Sequence, residues 1–244
     1  MSATAETAAH GTLAARLDAR CWDRIEADLD AHGSARLPAL LDHGECDAVA
    51  GWYDEDRFRS RVVMARHGFG RGEYQYFRYP LPGLLQELRT RLYARLAPLA
   101  NRWSEAMGVE VAYPACHEPF LQRCHAAGQE RPTPLLLRYG AGDYNCLHQD
   151  LYGEHVFPLQ VAILLCEPGA DFDGGEFVLA EQRPRMQSRV DVVPLRKGDA
   201  VVFAVRHRPV RGTRGTYRVA LRHGVGRVRA GRRLTLGVIF HDAL

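Results

Sequence analysis

In the stretch LLLRYGAGDYNCLHQDLYGEH, His148 and Asp150 stand two residues apart, so on an extended chain their imidazole and carboxylate point the same way. Alone the pair means little, because surface strands often carry one. With a third ligand it could hold a divalent metal. An iron(II) ion that must also bind a cosubstrate and oxygen can give only three of its six positions to protein, and two imidazoles and one carboxylate on one face meet that need. Three distant histidines are available: His207 and His223 before the last strand-like run, and His241 after it. His223 opens HGVGRVRAGRRLTLGVIF, in which Arg233 enters the next apolar strand. A strand, a turn and a returning strand would bring the two into one cavity. A buried arginine is costly unless it faces an anion, and its planar fork suits a carboxylate. His223 and Arg233 thus read as metal ligand and dicarboxylate clamp. At the same offset from His207 stands Tyr217, not an arginine, which leaves His207 as the rival third ligand, expected in a loop near the site.

These residues need a scaffold, and the chain changes period to supply one. Up to about residue 133 it reads as helical. LAARLDARCWDRIEADLDAHG, DHGECDAVAGWY and LPGLLQELRTRLYARLAPLANRWSEAMG carry apolar residues at three- and four-residue steps, and the first ends in Gly33. ARLPALL looks like a short strand, and RFRSRVVMARHGFGRGEYQYFRYPLP like a strand and an ordered loop. From Pro134 the runs PLLLRYG, FPLQVAILLCE, GEFVLAEQ, VDVVPLRKGDAVVFAV, TYRVALRHGV and RLTLGVIFH are short and β-rich, separated by turn signals such as GAGD, DFDGG, RKGD and RAGR. The expectation is an α+β protein: a jelly roll over 134–244, with the helices of 1–133 packed on one sheet as part of the same unit.

Composition bounds the possibilities. With 46% apolar and 25% charged residues, 244 residues can bury a substantial core. No run reaches the roughly 18 apolar residues of a membrane span, and MSATAETAAHG lacks the basic-then-apolar order of a secretory signal. A cytoplasmic protein with a frayed N-terminus, and no membrane partner, is expected. The six cysteines form no CxxC pair, and Cys116-His117 with Cys124-His125 matches no common zinc spacing. Basic residues number 32 against 29 acidic, so no overall basic field demands a nucleic-acid partner. The arginines of RHRPVRGTRGTYRVALRH and GRVRAGRR serve an anionic ligand or form a solvated face.

Other candidates have plain readings beside sharp ones. Glu154 and His155 fall beside the metal site or on the surface. Gly174-Gly175 is a turn, and Glu176 a strand-edge charge. Arg59, Arg61 and Arg66 could hold an anion and Tyr74, Tyr76 and Phe77 could stack on a planar substrate. The simpler reading, which we favour, is a strand that buries its aromatics and exposes its arginines. Gly142, His148 and Glu154 fit part of a cupin-type metal motif, against which Asp150 and Arg233 argue.

Taken in order, RYGAGDYNCLHQD, DFDGGEFVL, RKGDAVVF and HGVGRVRAGRRLTL resemble the iron(II)- and 2-oxoglutarate-dependent oxygenases, in particular their prolyl-hydroxylase-like branch. The likeness spans roughly Pro134 to Asp242, and HQDLYGEHVFPLQVAILL, RPRMQSR and FHDA resemble an uncharacterised bacterial group within that branch. It implies a double-stranded β-helix with His148, Asp150 and His223 as iron ligands. Arg233 would face the distal carboxylate of 2-oxoglutarate, aided by Tyr139 and Thr235. The implied reaction is a dioxygenase's, with oxygen and 2-oxoglutarate consumed, succinate and carbon dioxide released and a C–H bond hydroxylated, ascorbate serving as a possible reductant. A hydroxylated N-alkyl carbon would leave as an aldehyde. A protein side chain or a small molecule is the expected substrate. An alkylated nucleic-acid base is the alternative, although the R-x-x-x-x-x-R closing pattern of the dealkylating oxygenases is not matched cleanly.

Overall fold

The computed structural model describes residues 11–213 and 215–244, so the expected fraying of residues 1–10 lies outside the described residues. Among the described residues five α-helices precede residue 133: α1 (Leu13–Asp18), α2 (Trp22–His32), α3 (His43–Gly51), α4 (Gly83–Ala106) and α5 (His117–Ala126). Among and after them run β1 (Ser34–Leu37), β2 (Phe58–Val63), β3 (Gly70–Arg71), β4 (Glu73–Phe77), β5 (Leu135–Tyr139), β6 (Tyr144–His148), β7 (Leu159–Leu164) and β8 (Phe172–Gly174). The chain closes with β9 (Phe177–Gln182), β10 (Arg189–Val193), β11 (Ala200–Ala204), β12 (His207–Gly212), β13 (Gly215–Val225), β14 (Val228–Gly231) and β15 (Arg233–Val238).

The strands build a jelly roll. One sheet has the order β1-β11-β7-β15-β5-β4-β2, the other β10-β9-β13-β6-β3 with β12 also on β13, and β14 pairs with β8. β7 and β11 are buried at every residue, as an inner strand covered on both faces requires. α2 lies against β1 and β11, and α4 against β15. The buried side of α4 (Leu85, Leu88, Leu92, Leu96, Leu99, Trp103) repeats at the three- and four-residue steps read in the sequence.

Local chemistry explains two departures from the sequence reading. The first apolar run is two helices, not one, because the chain turns at Ala19–Cys21 and the Trp22 indole donates to the Leu17 carbonyl (2.9 Å) near the end of α1. The aromatic segment 57–79 holds more than one strand: β2 and β4 pair and extend the larger sheet beyond β5, while β3 crosses to the smaller one. Helix α5 and strands β8, β12 and β14 fall outside the runs read as elements in the sequence, whereas the helices expected at DHGECDAVAGWY and from LPGLLQEL are present. α3 starts on a capping box between Asp42 and Glu45, in DHGE, and α2 ends at Gly33. No helix among the described residues is long and apolar enough to cross a membrane.

Candidate metal and cosubstrate site

His148 is the last residue of β6 and is in register with His223 on β13, so the two imidazoles are neighbours across an antiparallel pair, their ring centroids 4.2 Å apart. Asp150 follows two residues on, in the loop after β6. Its Oδ1 lies 3.4 Å from His148 Nε2 and its Oδ2 3.3 Å from His223 Nε2. One donor atom from each of the three residues falls within 4.8 Å of the others, the one such group of three or more metal-binding side chains among the described residues.

The surroundings set the donor atoms. His148 Nδ1 meets the Cys146 carbonyl at 2.8 Å, so Nδ1 carries a hydrogen and Nε2 is the ring atom turned towards Asp150. Tyr152 donates its hydroxyl to Asp150 Oδ1 (2.7 Å), and Gln160 its amide to Oδ2 (2.9 Å). Burial opposes a charge on Asp150, yet hydrogen bonds and charge from His148 and His223 outweigh it and hold the carboxyl well below its usual range. Burial keeps His223 low. Its Nδ1 is buried without a partner.

Beyond this cluster lies a cavity of about 380 Å³ between the sheets, lined also by Tyr139, Arg233 and Thr235. Arg233 begins β15 opposite Tyr139 on β5, in the larger sheet. The hairpin expected between His223 and Arg233 is therefore not what joins them. Their connection passes through β14, which pairs with β8, and the two residues reach one cavity from facing sheets. Arg233 is 1% exposed, and Nη1 donates to Thr235 Oγ1 (2.6 Å) while Nε is buried without a partner. Among the described residues no carboxylate pairs with it, and burial lowers its proton affinity. Gly175, with φ +62°, leaves the room its stem occupies: a Cβ there would stand 2.9 Å from Arg233 Cδ.

A donor set of two imidazoles and a carboxylate, with orphaned cationic donors in the same cavity, fits an iron(II) ion and an anionic cosubstrate. The other candidates sit elsewhere. His207 is on β12, not in a loop, in register with Ala220, and Ala220 and His223 point to opposite faces of β13. His241 is buried, its Nδ1 accepting the Phe157 N–H (3.2 Å). Glu154 is exposed, and the half-buried His155 donates its backbone N–H to Gln129. Glu176 is exposed and 3.3 Å from Arg229. Arg61 pairs with Glu73, Arg59 lies over the Tyr76 ring, Arg66 is exposed and Phe77 is in the core. Tyr74, by contrast, lines the cavity.

Sequence reasoning missed Tyr152, Gln160 and Phe69. Phe69 lines the cavity while 47% exposed. The Gly-Phe-Gly in RHGFGRG was its available signal.

The architecture is shared with known enzymes. An oxidoreductase of the 2OG-Fe(II) oxygenase family from Burkholderia pseudomallei superposes with a TM-score of 0.55 at 19% identity, covering 92% of this chain and 93% of that one. A Trichoplax adhaerens prolyl hydroxylase, in complex with a hypoxia inducible factor peptide fragment, gives 0.55 at 15% identity, over 95% and 94%. This is the fold of the 2-oxoglutarate and iron(II) oxygenases.

Residues 72–243 match the family described as "Oxygenase, catalysing oxidative methylation of damaged DNA", and the chain belongs to it. An uncharacterized protein of Mycobacterium tuberculosis, Rv2227 in strain H37Rv, is 49% identical over 167 residues, 68% of this chain and 72% of its own length. The chain is an oxygenase.

Proposed function

We propose that the protein is an iron(II)- and 2-oxoglutarate-dependent dioxygenase that oxidises an N-alkyl group on a nucleic-acid base. The observation that carries the cofactor part is the pairing of a His148–Asp150–His223 cluster with an unpaired buried Arg233 in one cavity. The substrate part rests on the damaged-DNA chemistry ascribed to the family and on Phe69 and Tyr74 beside the apolar wall of Leu135 and Leu137. Residues 1–133 belong to the working unit in this reading, because Tyr74 on β4 stands beside β5 and faces the cavity.

Each residue has a task. His148, Asp150 and His223 hold iron(II), and the carboxylate offsets part of the metal's charge. Arg233 takes the distal carboxylate of 2-oxoglutarate. Thr235 accepts from Arg233, so its own hydrogen is free for that carboxylate. Burial pushes the Tyr139 phenol up and keeps it protonated, and its hydroxyl accepts from Asn145 (3.4 Å), so it too donates into the cavity. Bound iron supplies, with oxygen and 2-oxoglutarate, the oxidising power that hydroxylates a C–H bond. On an N-methyl group the product loses formaldehyde.

Succinate release tests this, measured with N-methylated oligonucleotides, their unmethylated counterparts, proline-containing peptides and free amino acids, with and without ascorbate. Methylated oligonucleotides should stimulate succinate and release formaldehyde, with binding that weakens steeply as salt rises. Stimulation by the peptide or amino-acid panel instead would return the substrate to a side chain or small molecule. His148→Ala, Asp150→Ala and His223→Ala should each abolish iron binding and succinate formation, while His207→Ala retains both. Loss of iron in the His207 variant alone would overturn the ligand assignment.

A further inference from the structure

The loop that carries Asp150 into β7 is built around one buried amide. Helix α5 runs out into a turn at Ala127–Gly128, and the Gln129 N–H closes back on the Cys124 carbonyl (2.9 Å), which turns the Gln129 side chain inward until it is 0% exposed. Its Nε2 donates towards three backbone carbonyls: Tyr152 (3.0 Å), His155 (3.1 Å) and Asp242 (2.6 Å). Its Oε1 accepts the His155 N–H (2.7 Å). Three acceptors against one donor leave a single orientation for the amide. The loop is shaped to it, since Gly153 has φ +97° and a Cβ there would stand 2.4 Å from Gln129 Cδ.

One of the residues so held acts on the metal cluster. Tyr152, fixed at its carbonyl by Gln129, gives its hydroxyl to Asp150 Oδ1 and accepts from Tyr76 (3.2 Å). We propose that Gln129 is a positioning residue for the metal-binding carboxylate: it acts through the Tyr152 backbone to fix how Asp150 presents its oxygens. The proposal rests on the reading of His148, Asp150 and His223 as a metal site. A ligand carboxylate with one oxygen already hydrogen-bonded loses little freedom on binding, and outer partners of metal ligands change affinity about tenfold to a hundredfold.

The test is manganese(II) titration by calorimetry, with the cobalt(II) absorption spectrum and the thermal midpoint of the metal-free protein measured beside it. Gln129→Glu has the same shape but sets a carboxylate oxygen against three carbonyls, and should weaken manganese about tenfold or more and shift the cobalt bands. Gly153→Ala should reproduce both effects by pushing the amide aside, and covers the case in which the glutamate variant fails to fold. Tyr152→Phe should weaken the metal similarly. Combined with Gly153→Ala it should cost little more than the larger single change, because both act along one path. A purely structural role would lower the midpoint and leave affinity and spectrum alone. That result in Gly153→Ala, or full additivity in the pair, overturns the proposal. Failure of the unaltered protein to take any divalent metal would instead bring down the site reading on which it rests.

Discussion

Two arginines of this molecule are buried to the same degree and do opposite things. Arg89, 0% exposed on α4, has all three of its nitrogens engaged: Nη2 on Asp242 Oδ1 (2.6 Å), Nη1 on the Tyr79 hydroxyl (2.9 Å), Nε on the Ile239 carbonyl (2.8 Å). Its carboxylate partner is just as well supplied, since Tyr79 and His125 both meet Asp242 Oδ2 at 2.8 Å. Arg233, 1% exposed, has Thr235 and an orphaned Nε. A buried cation satisfied within the chain holds the chain together, here by tying the last residues to α4. A buried cation left unsatisfied has a folding cost that only an outside anion removes. Burial alone does not separate a structural arginine from a binding one; the list of partners does.

The largest effect should come from breaking the satisfied pair. Arg89→Ala strands Asp242 in the interior, and removing one partner of a buried pair typically costs about 3–5 kcal/mol. Urea unfolding of the metal-free protein should show that loss, and a change within the error of the midpoint would mean that Asp242 is not held by Arg89.

Arg233→Ala should do the reverse. Metal-free stability should stay level or rise, because an uncompensated charge has left the interior, while 2-oxoglutarate binding should weaken about a hundredfold or more, by the same 3–5 kcal/mol at about 1.4 kcal/mol per tenfold. Calorimetry with manganese(II) in place of iron reads this without turnover. Manganese affinity itself should barely move. An unchanged 2-oxoglutarate constant in a folded variant would remove the cosubstrate pocket and favour a cupin-like metal protein. Arg233→Lys sharpens the contrast: the charge stays but the two-pronged geometry goes, so part of the affinity should return.

The sequence made one arginine of the pair visible and hid the other, for a physical reason. Arg233 follows His223 at a short spacing, inside a run whose turn signals and apolar pattern are local. His148 and Asp150 are likewise read from a two-residue repeat on an extended chain. Arg89 looks like any solvated arginine of LPGLLQELRTRLYARL, and its partner Asp242 lies 153 residues away. Gln129 meets the Asp242 carbonyl over 113 residues. Contacts of that range depend on how α4, α5 and the last strand pack, which no periodicity encodes. The route joining His223 to Arg233 was misread on the same ground. A turn was expected locally, whereas β8, brought up from far along the chain, captures the segment between them.

The smallest effect concerns the histidines around the satisfied arginine. His117 meets the Phe240 carbonyl through Nε2 (2.7 Å), and His241 accepts the Phe157 N–H at Nδ1. Burial, with the Arg89 charge adding to it, pushes both rings down from 6.5 to about 4. In the unfolded chain each takes up its proton near 6.5, so between there and about 4 the unfolded state binds more protons and folding stability falls as pH falls. Above 6.5 the contribution is fully present. Each unit of displacement is worth about 1.4 kcal/mol. Replacing His117 by Gln keeps a donor for the Phe240 carbonyl and removes the titration. Urea midpoints of the metal-free protein at pH 7.5 and pH 5 should therefore differ less in His117→Gln than in the parent. Comparing that difference, rather than either curve alone, cancels the contributions of Asp150, His148 and Asp242, which titrate in both proteins. Equal pH sensitivity in the two would show that His117 is not held neutral, and that the region around Arg89 is less sealed than its hydrogen bonds imply.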